Sequence, residues 1–307
     1  MCPSPTTRPG RDADPHALAH RIADAVDTAW HRSSAATGRL EIPLSAVAAL
    51  ALIRLDPDDP EGPAAGSPAA VPPSGMITML RALWTSYVNL RPDLVPRAFP
   101  LFSWLFDPDV SNSSLDAAAA IAQAALRAGQ LRLTGTGLRH RVDLFGVVLT
   151  TLRSDSARKR RGQFYTPVDV ADVMAEMLGI TGRDRVHEPA AGTGGMLRAA
   201  AQAMRSAGRD PATVTWTAVD VDELAIACLA VNAHLWNLGP RVLLGVGDAL
   251  TDDWITRAEA ERSECLQLAQ TVRRDKLALR LLTTVDGPAD DAAAETKSSA
   301  DDRRPAD

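Results

Sequence analysis

Apolar residues recur at helical spacing from His16 to about Asp56, where Leu44, Val47, Ala48 and Ala51 share one face. Pro43 stands just ahead of them, at a position that suits a first turn. Residues 57–75 break the pattern with six prolines and three glycines, which predicts a loop or linker. Helical spacing resumes near Met76 and again over 115–153, where Leu144, Val147, Val148 and Leu152 line up. Between them, Phe99 to Phe106 gathers aromatics in a chain that has few. Core packing is the expectation there, with a base-stacking surface as the alternative. At Arg158 the period changes. Short strand-like runs at Val186-His187, Val214–Val219 and Val242–Val246 alternate with helical stretches, which predicts βαβ units and a parallel sheet. Residues 253–282 read as helix, with Trp254, Leu266, Ala269, Val272, Leu279 and Leu282 as candidate packing positions.

Composition narrows the class. At 307 residues and 46% apolar, the chain is long enough for two cores. The division expected is a disordered 1–15, an all-α N-terminal domain over 16–150 with the 57–75 linker inside it, an α/β domain over 151–285, and a disordered 286–307. That tail has seven acids against three bases. A net charge of −5 does not suggest a nucleic-acid binder held by bulk charge. Only Lys159, Lys276 and Lys297 stand among 33 basic residues, but with abundant alanine this matches a GC-rich coding bias and does not identify a partner. Cys2, Cys228 and Cys265 are too few and too scattered for a disulfide framework or a metal site. No signal-peptide core or membrane-length apolar run is seen, so a cytoplasmic protein without metal or membrane partner is expected.

Four elements carry the chemistry. Gln163-Phe164-Tyr165-Thr166-Pro167 leads into a helix, with Thr166 and Asp169 resembling a capping box and Pro167 at the first helical position. Val170, Val173, Met174, Met177 and Leu178 then fall on one face, which predicts a buried helix. Next, Val186 leads into Glu188-Pro189-Ala190-Ala191-Gly192-Thr193-Gly194-Gly195 and a helix through Met196, Leu197, Ala200 and Met204. Strand, small-residue turn and helix let backbone approach a ligand and aim free N–H groups at it. The third glycine of the dinucleotide pattern is absent. Glu188 at the strand end suits a cationic group, and S-adenosylmethionine (SAM) offers an ammonium and a sulfonium. Third, Asp220-Val221 ends the second strand, one βα unit on, where a carboxylate can take both ribose hydroxyls, while Asp222 is better placed to cap the following helix. That helix is expected to run to Leu238 and stop at Gly239-Pro240. Fourth, Gly247-Asp248-Ala249-Leu250 follows the third strand, with Asp248 able to accept from an adenine amino group. Each acid alone is an ordinary turn or cap residue. Three at the carboxyl ends of successive parallel strands mark the edge where open α/β sheets bind ligands.

Together these residues resemble the adenine-N6 DNA methyltransferases whose cofactor motifs precede the catalytic one, nearest to the modification subunit of type I restriction systems. Arg161 to Pro167, Glu188 to Gly195, Asp220-Val221-Asp222, the run to Asn237-Leu238-Gly239, and Gly247 to Leu250 carry the likeness, which covers roughly residues 140–252. It implies an α/β, Rossmann-like SAM-dependent methyltransferase domain with an incomplete sheet, preceded by an all-α N-terminal domain. It implies SAM as cofactor, held by Phe164, Tyr165, Thr166, Glu188, Pro189, Ala190, Gly192, Thr193, Gly194, Asp220, Val221 and Asp248. DNA is the implied partner, touched by the N-terminal helical region, with Asp248 near the adenine and the basic run Arg158, Lys159, Arg160 and Arg161 near phosphates. That run reads equally well as a solvated linker.

The chain departs from the family at the step that matters most. The family holds the flipped adenine with an Asn/Asp-Pro-Pro-aromatic tetrapeptide after the fourth strand. After Asp248 this chain has only Pro288 and Pro305, neither in that context, and its one Pro-Pro pair, Pro72-Pro73, lies between Val71 and Ser74. Three readings follow: an active adenine methyltransferase whose catalytic loop is unrecognised or comes from a partner subunit; a SAM- and DNA-binding subunit or regulator without transfer activity; or a methyltransferase on a substrate other than DNA. The missing tetrapeptide favours the second for the isolated chain.

Overall fold

The computed structural model of the chain describes residues 14–35, 38–56, 67–153, 166–250 and 253–285. The expected disorder of 1–13 and 286–307, the first part of the linker, and the basic run at 158–161 lie outside them. Asp14 accepts from the His16 amide and Pro15 occupies the first turn, so helix begins at Pro15 itself. The part of the expected linker within the described residues holds a 3-10 turn at Ser67–Ala70, and Pro73 already opens the next helix.

Seven α-helices make up the N-terminal region among the described residues: α1 Pro15–Arg32, α2 Glu41–Ala51, α3 Pro73–Leu90, α4 Val95–Phe102, α5 Asn112–Arg127, α6 Gln130–Thr134 and α7 Leu144–Leu152. Their alanine-rich faces permit close packing, and a few buried polar pairs fix the register. Trp84 Nε1 donates to Ser45 Oγ at 3.0 Å, and Gln130 Nε2 to the Val47 carbonyl at 2.6 Å. In the aromatic segment Leu101, Phe102, Trp104 and Leu105 are buried, while Phe99 and Phe106 flank them on the outside.

After α8 (Val168–Leu178) the chain alternates β1 (Arg185–Glu188), α9 (Gly195–Ser206), β2 (Thr215–Asp220), α10 (Glu223–Leu235) and β3 (Val242–Val246). The three strands are parallel in the order β1-β2-β3, with Glu188 opposite Ala218 and Asp220 opposite Val246. This is the incomplete parallel sheet expected. Helix α10 packs on α4 on one side and on β2 and β3 on the other. It is buried almost all round, from Ala225 to Ala233 without interruption, as a helix between two layers must be. Tyr87 of α3 donates its hydroxyl to the Ala230 carbonyl at 2.9 Å. One hydrophobic core therefore runs from the N-terminal helices through Phe145 and α10 to Trp216 and Trp236. Helix α10 ends at Leu235, earlier than expected, and Asn237 and Gly239 then turn the chain at positive φ.

Two expectations are overturned. Helix α8 is not capped by Thr166: Pro167 holds the cap position and no side chain bonds to the first turn. Nor is its apolar face buried. Only Ala171 and Ala175 are covered, whereas Val170, Val173, Met174, Met177 and Leu178 lie in solvent. The last helix, α11 (Asp253–Val285), is the expected one, but only its start is packed. Trp254 and Ala258 are buried, Leu266 and Ala269 are half-buried, and Val272 and Leu279 are exposed. Residues from Leu266 onward form a separate unit.

Candidate functional site

The turn between β1 and α9 is shaped by close backbone packing. Glu188 ends β1 and its Oε1 accepts from the Ala190 amide at 3.2 Å. The Ala191 amide donates to the Val219 carbonyl at 3.0 Å, which fastens the turn to β2. Gly192 and Gly194 sit at φ 52° and 98°, in the left-handed region that glycine enters freely. A Cβ on Gly194 would collide with Leu229 and Trp236, so only glycine lets α10 come this close. Pro189 and Ala190 are exposed, and Thr193 is buried. A Cβ on Gly195 would meet nothing, so open space lies over the start of α9, where the first amides lack helical partners.

Asp220 ends β2 and ties the loops together. Its Oδ2 accepts from the Gly192 amide at 2.7 Å and its Oδ1 from the Asp222 amide at 2.9 Å. Its carbonyl accepts from the Gly247 amide at 3.0 Å. Val221 beside it is exposed. Asp248 follows β3, is exposed, and accepts from the Leu250 amide at 2.9 Å. The structure thus brings Gly192 and Asp220 into direct contact and sets Glu188, Asp220 and Asp248 at or just past the ends of three parallel neighbours. Thr166 and Gly195 line a cavity of about 210 Å³ with Asp143, Gly146 and Arg198. Phe164, Tyr165 and Arg158 to Arg161 lie outside the described residues.

Sequence reasoning missed the residues that hold this turn in place. Asp143 caps α7, accepting from the Gly146 amide at 3.0 Å. The same carboxylate accepts from Thr193 Oγ1 at 2.5 Å and from Asn232 Nδ2 at 2.8 Å, and Asn232 Nδ2 also reaches the Thr193 carbonyl at 2.8 Å. Burial pushes the Asp143 carboxyl above its ordinary range, against the pull of these donated hydrogen bonds. At the other end of α7, Arg153 donates from both terminal guanidinium nitrogens to the two Asp222 oxygens, and both side chains are buried. Asp222 also accepts from the Leu224 and Ala225 amides as the cap of α10. Two buried polar clamps at the ends of α7 therefore grip the glycine turn and the acidic loop. A lone Asn in an alanine-rich helix was the available signal for Asn232. The Arg153–Asp222 pair spans 69 positions and has no local signature.

The arrangement is suited to binding more than to bond-making. Cys228 is buried, and desolvation raises its thiol well above the usual range, so it offers no nucleophile. Among the described residues no cluster of metal-ligating side chains occurs. Each Asp220 oxygen has one donor in place, and a carboxylate oxygen can accept a second, which suits the pair of hydroxyls of a vicinal diol. Glu188 offers a carboxylate for a cation at the neighbouring strand end. These groups and the open space over Gly195 fit a SAM-like ligand.

Residues 142–265 match the family model described as N-6 DNA Methylase. A solved structure, the methyltransferase subunit of the type I restriction-modification system from Streptococcus thermophilus, aligns over 78% of this chain at 15% identity and a TM-score of 0.43. The chain spans 60% of the length of that subunit. A comparison with curated proteins gives no match.

Proposed function

We propose that the chain, whose residues 142–265 match the N-6 DNA methylase family model, is the SAM-binding part of a DNA adenine-N6 methylating assembly, without methyl transfer of its own. The observation that carries this reading is the 2.7 Å bond from Gly192 to Asp220, set between two further acids at the ends of parallel strands. Asp220 and Val221 would hold the ribose, Glu188 the ammonium end, and Asp248 the adenine amino group. Pro189, Ala190, Gly192, Thr193 and Gly194 would form the turn against the cofactor, and Phe164, Tyr165 and Thr166 its approach. When bound, SAM supplies the methyl group as an electrophile. This chain's residues orient it, and nothing in the sequence matches the tetrapeptide that holds the accepting amine.

DNA would be met by the N-terminal helices and by Arg158, Lys159, Arg160 and Arg161, whose phosphate contacts would weaken with salt. The test is calorimetry with SAM, alongside labelled SAM with mixed-sequence duplex DNA and nucleoside analysis. SAM binding by the wild type, roughly tenfold weaker in Asp220→Ala, is expected from loss of a charged hydrogen-bond acceptor. Well-folded protein that ignores SAM would overturn the cofactor reading. N6-methyladenine made by the chain alone would overturn the inactivity.

A further inference from the structure

Three arginines gather around the ends of α9 and α10, and none of them is paired with a carboxylate among the described residues. Arg205 stands in the last turn of α9, and its Nη2 donates to the Trp236 carbonyl just past α10. Trp236 Nε1 in turn donates to the Arg139 carbonyl at 3.0 Å, in the 3-10 turn Gly137–His140. Arg139 Nη2 donates to the Gly135 carbonyl at 3.2 Å. The third, Arg54, follows α2 and lies close enough to His140 and His234 to act on both rings.

Nitrogens are left over. Among the described residues Arg139 Nε and Nη1, Arg205 Nη1 and His140 Nε2 are buried and have no hydrogen-bond partner. A desolvated cation without an anion is costly for a fold. Burial lowers the Arg54 and Arg205 guanidinium groups from their ordinary range. It also holds the His140 ring down to about 4, with Arg205 and Arg54 adding to the effect. Two acids act on this region and neither neutralises it. Asp93 is engaged by two nitrogens of Arg91, and Asp210 accepts from the Ala212 amide and forms no ion pair with Arg205. A cation suits the last turn of a helix, which accounts for the bond from Arg205 to Trp236. That role leaves Nη1 of Arg205 and both nitrogens of Arg139 unanswered.

We propose that Arg54, Arg139, His140 and Arg205 form a binding site for a terminal phosphate group. Three fixed positive charges match a dianion, and guanidinium N–H forks match its oxygens two at a time. Burial of the unpartnered nitrogens selects a terminal phosphate over one inside a nucleic-acid backbone. Arg139, His140 and Arg205 are half-buried, so a terminal group can enter with three oxygens leading, whereas a diester is flanked by sugars on both sides. The site is separate from the acidic strand edge. Arg205 lies ten residues along α9 from Gly195, about 15 Å at the helical rise. The proposal therefore stands whether or not SAM binds.

The experiment titrates the full chain with inorganic phosphate by calorimetry, at constant ionic strength with chloride as the balancing anion, and repeats thermal unfolding in both buffers. Saturable phosphate binding and a higher unfolding midpoint in phosphate are expected. Arg139→Met should weaken phosphate binding at least roughly tenfold, since it removes charged donors. In chloride the same variant should unfold at a temperature no lower than wild type, because it removes an unpaired buried charge. An arginine with only a structural role would instead lose stability equally in both buffers, and that result overturns the proposal. Arg54→Met, at an exposed position, tests the site without touching the core and should also weaken phosphate binding. The His140 ring, followed by nuclear magnetic resonance, should titrate at higher pH in phosphate, as a bound dianion favours the imidazolium. Adenosine 5′-monophosphate and a duplex without terminal phosphates distinguish the sources. Displacement of phosphate by the mononucleotide makes a nucleotide the ligand, and no displacement by either makes it free phosphate. Displacement by the duplex and not by the mononucleotide overturns the proposal. So does wild-type protein without saturable phosphate binding, or equal phosphate affinity in wild type and both arginine variants.

Discussion

The Thr193 hydroxyl donates to the Asp143 carboxylate at 2.5 Å, across 50 positions of sequence, and so joins the glycine turn of the sheet to the cap of helix α7. Asn232 bridges the same two residues, donating to the Asp143 carboxylate and the Thr193 carbonyl. The turn's shape is thus set partly by its own glycines and partly by a buried network rooted in the N-terminal helices.

Asp143→Ala should therefore destabilise the protein by about 3 kcal/mol, since it leaves the donors of Thr193, Asn232 and Gly146 without this acceptor in a buried site. Urea unfolding reads this as a lower midpoint at unchanged slope. An Asp143→Ala variant as stable as wild type would mean that the network contributes nothing net.

Breaking the Arg153–Asp222 pair should be costlier than its net worth. Removing one partner leaves a buried charge, and about 3–5 kcal/mol is expected for Arg153→Met. The double variant Arg153→Met with Asp222→Asn should recover part of that loss, because the cap to Leu224 survives in asparagine. A double-mutant cycle with no coupling would refute the clamp.

Gly194→Ala should cost about 3 kcal/mol from overpacking and from the left-handed backbone. Gly195→Ala should be close to neutral for stability, because its Cβ would enter open space. If SAM occupies that space, Gly195→Ala should instead weaken cofactor affinity. Thermal unfolding and calorimetry on the two variants separate the effects.

Stability should fall in mild acid. Burial, with help from Arg205, holds the His140 imidazole down to about 4, and burial, with Arg54 and Arg91, does the same for His234. Both bind protons more readily when unfolded, at an ordinary pKa near 6.5. Their contribution is complete above about pH 6.5 and is lost as pH falls toward 4, with a slope of up to about 1.4 kcal/mol per pH unit for each histidine. The raised Asp143 carboxyl works in the opposite sense, favouring the fold as pH falls. Comparing wild type with His140→Gln plus His234→Gln isolates the histidine part. An unchanged pH slope in that variant would rule it out.

The elements governed by local physics were legible in the sequence. Period-2 runs placed β1, β2 and β3 within a residue or two, the small-residue turn placed Gly192 and Gly194, and Asp222 was readable as the cap of α10 from its position before an apolar run. Those signals act within about one turn or one strand, so the chain itself encodes them. What covers a given face depends on which distant segment arrives there, and only the tertiary structure decided that. The stripe on α8 was legible as apolar but not as exposed, because its direction depends on α9 packing against this helix, whose covered residues are Ala171 and Ala175. The run in α10 was legible as helix but not as the element between two layers. Arg153 and Asp222 are 69 positions apart, and desolvation by the packed core, not any local pattern, makes them partners.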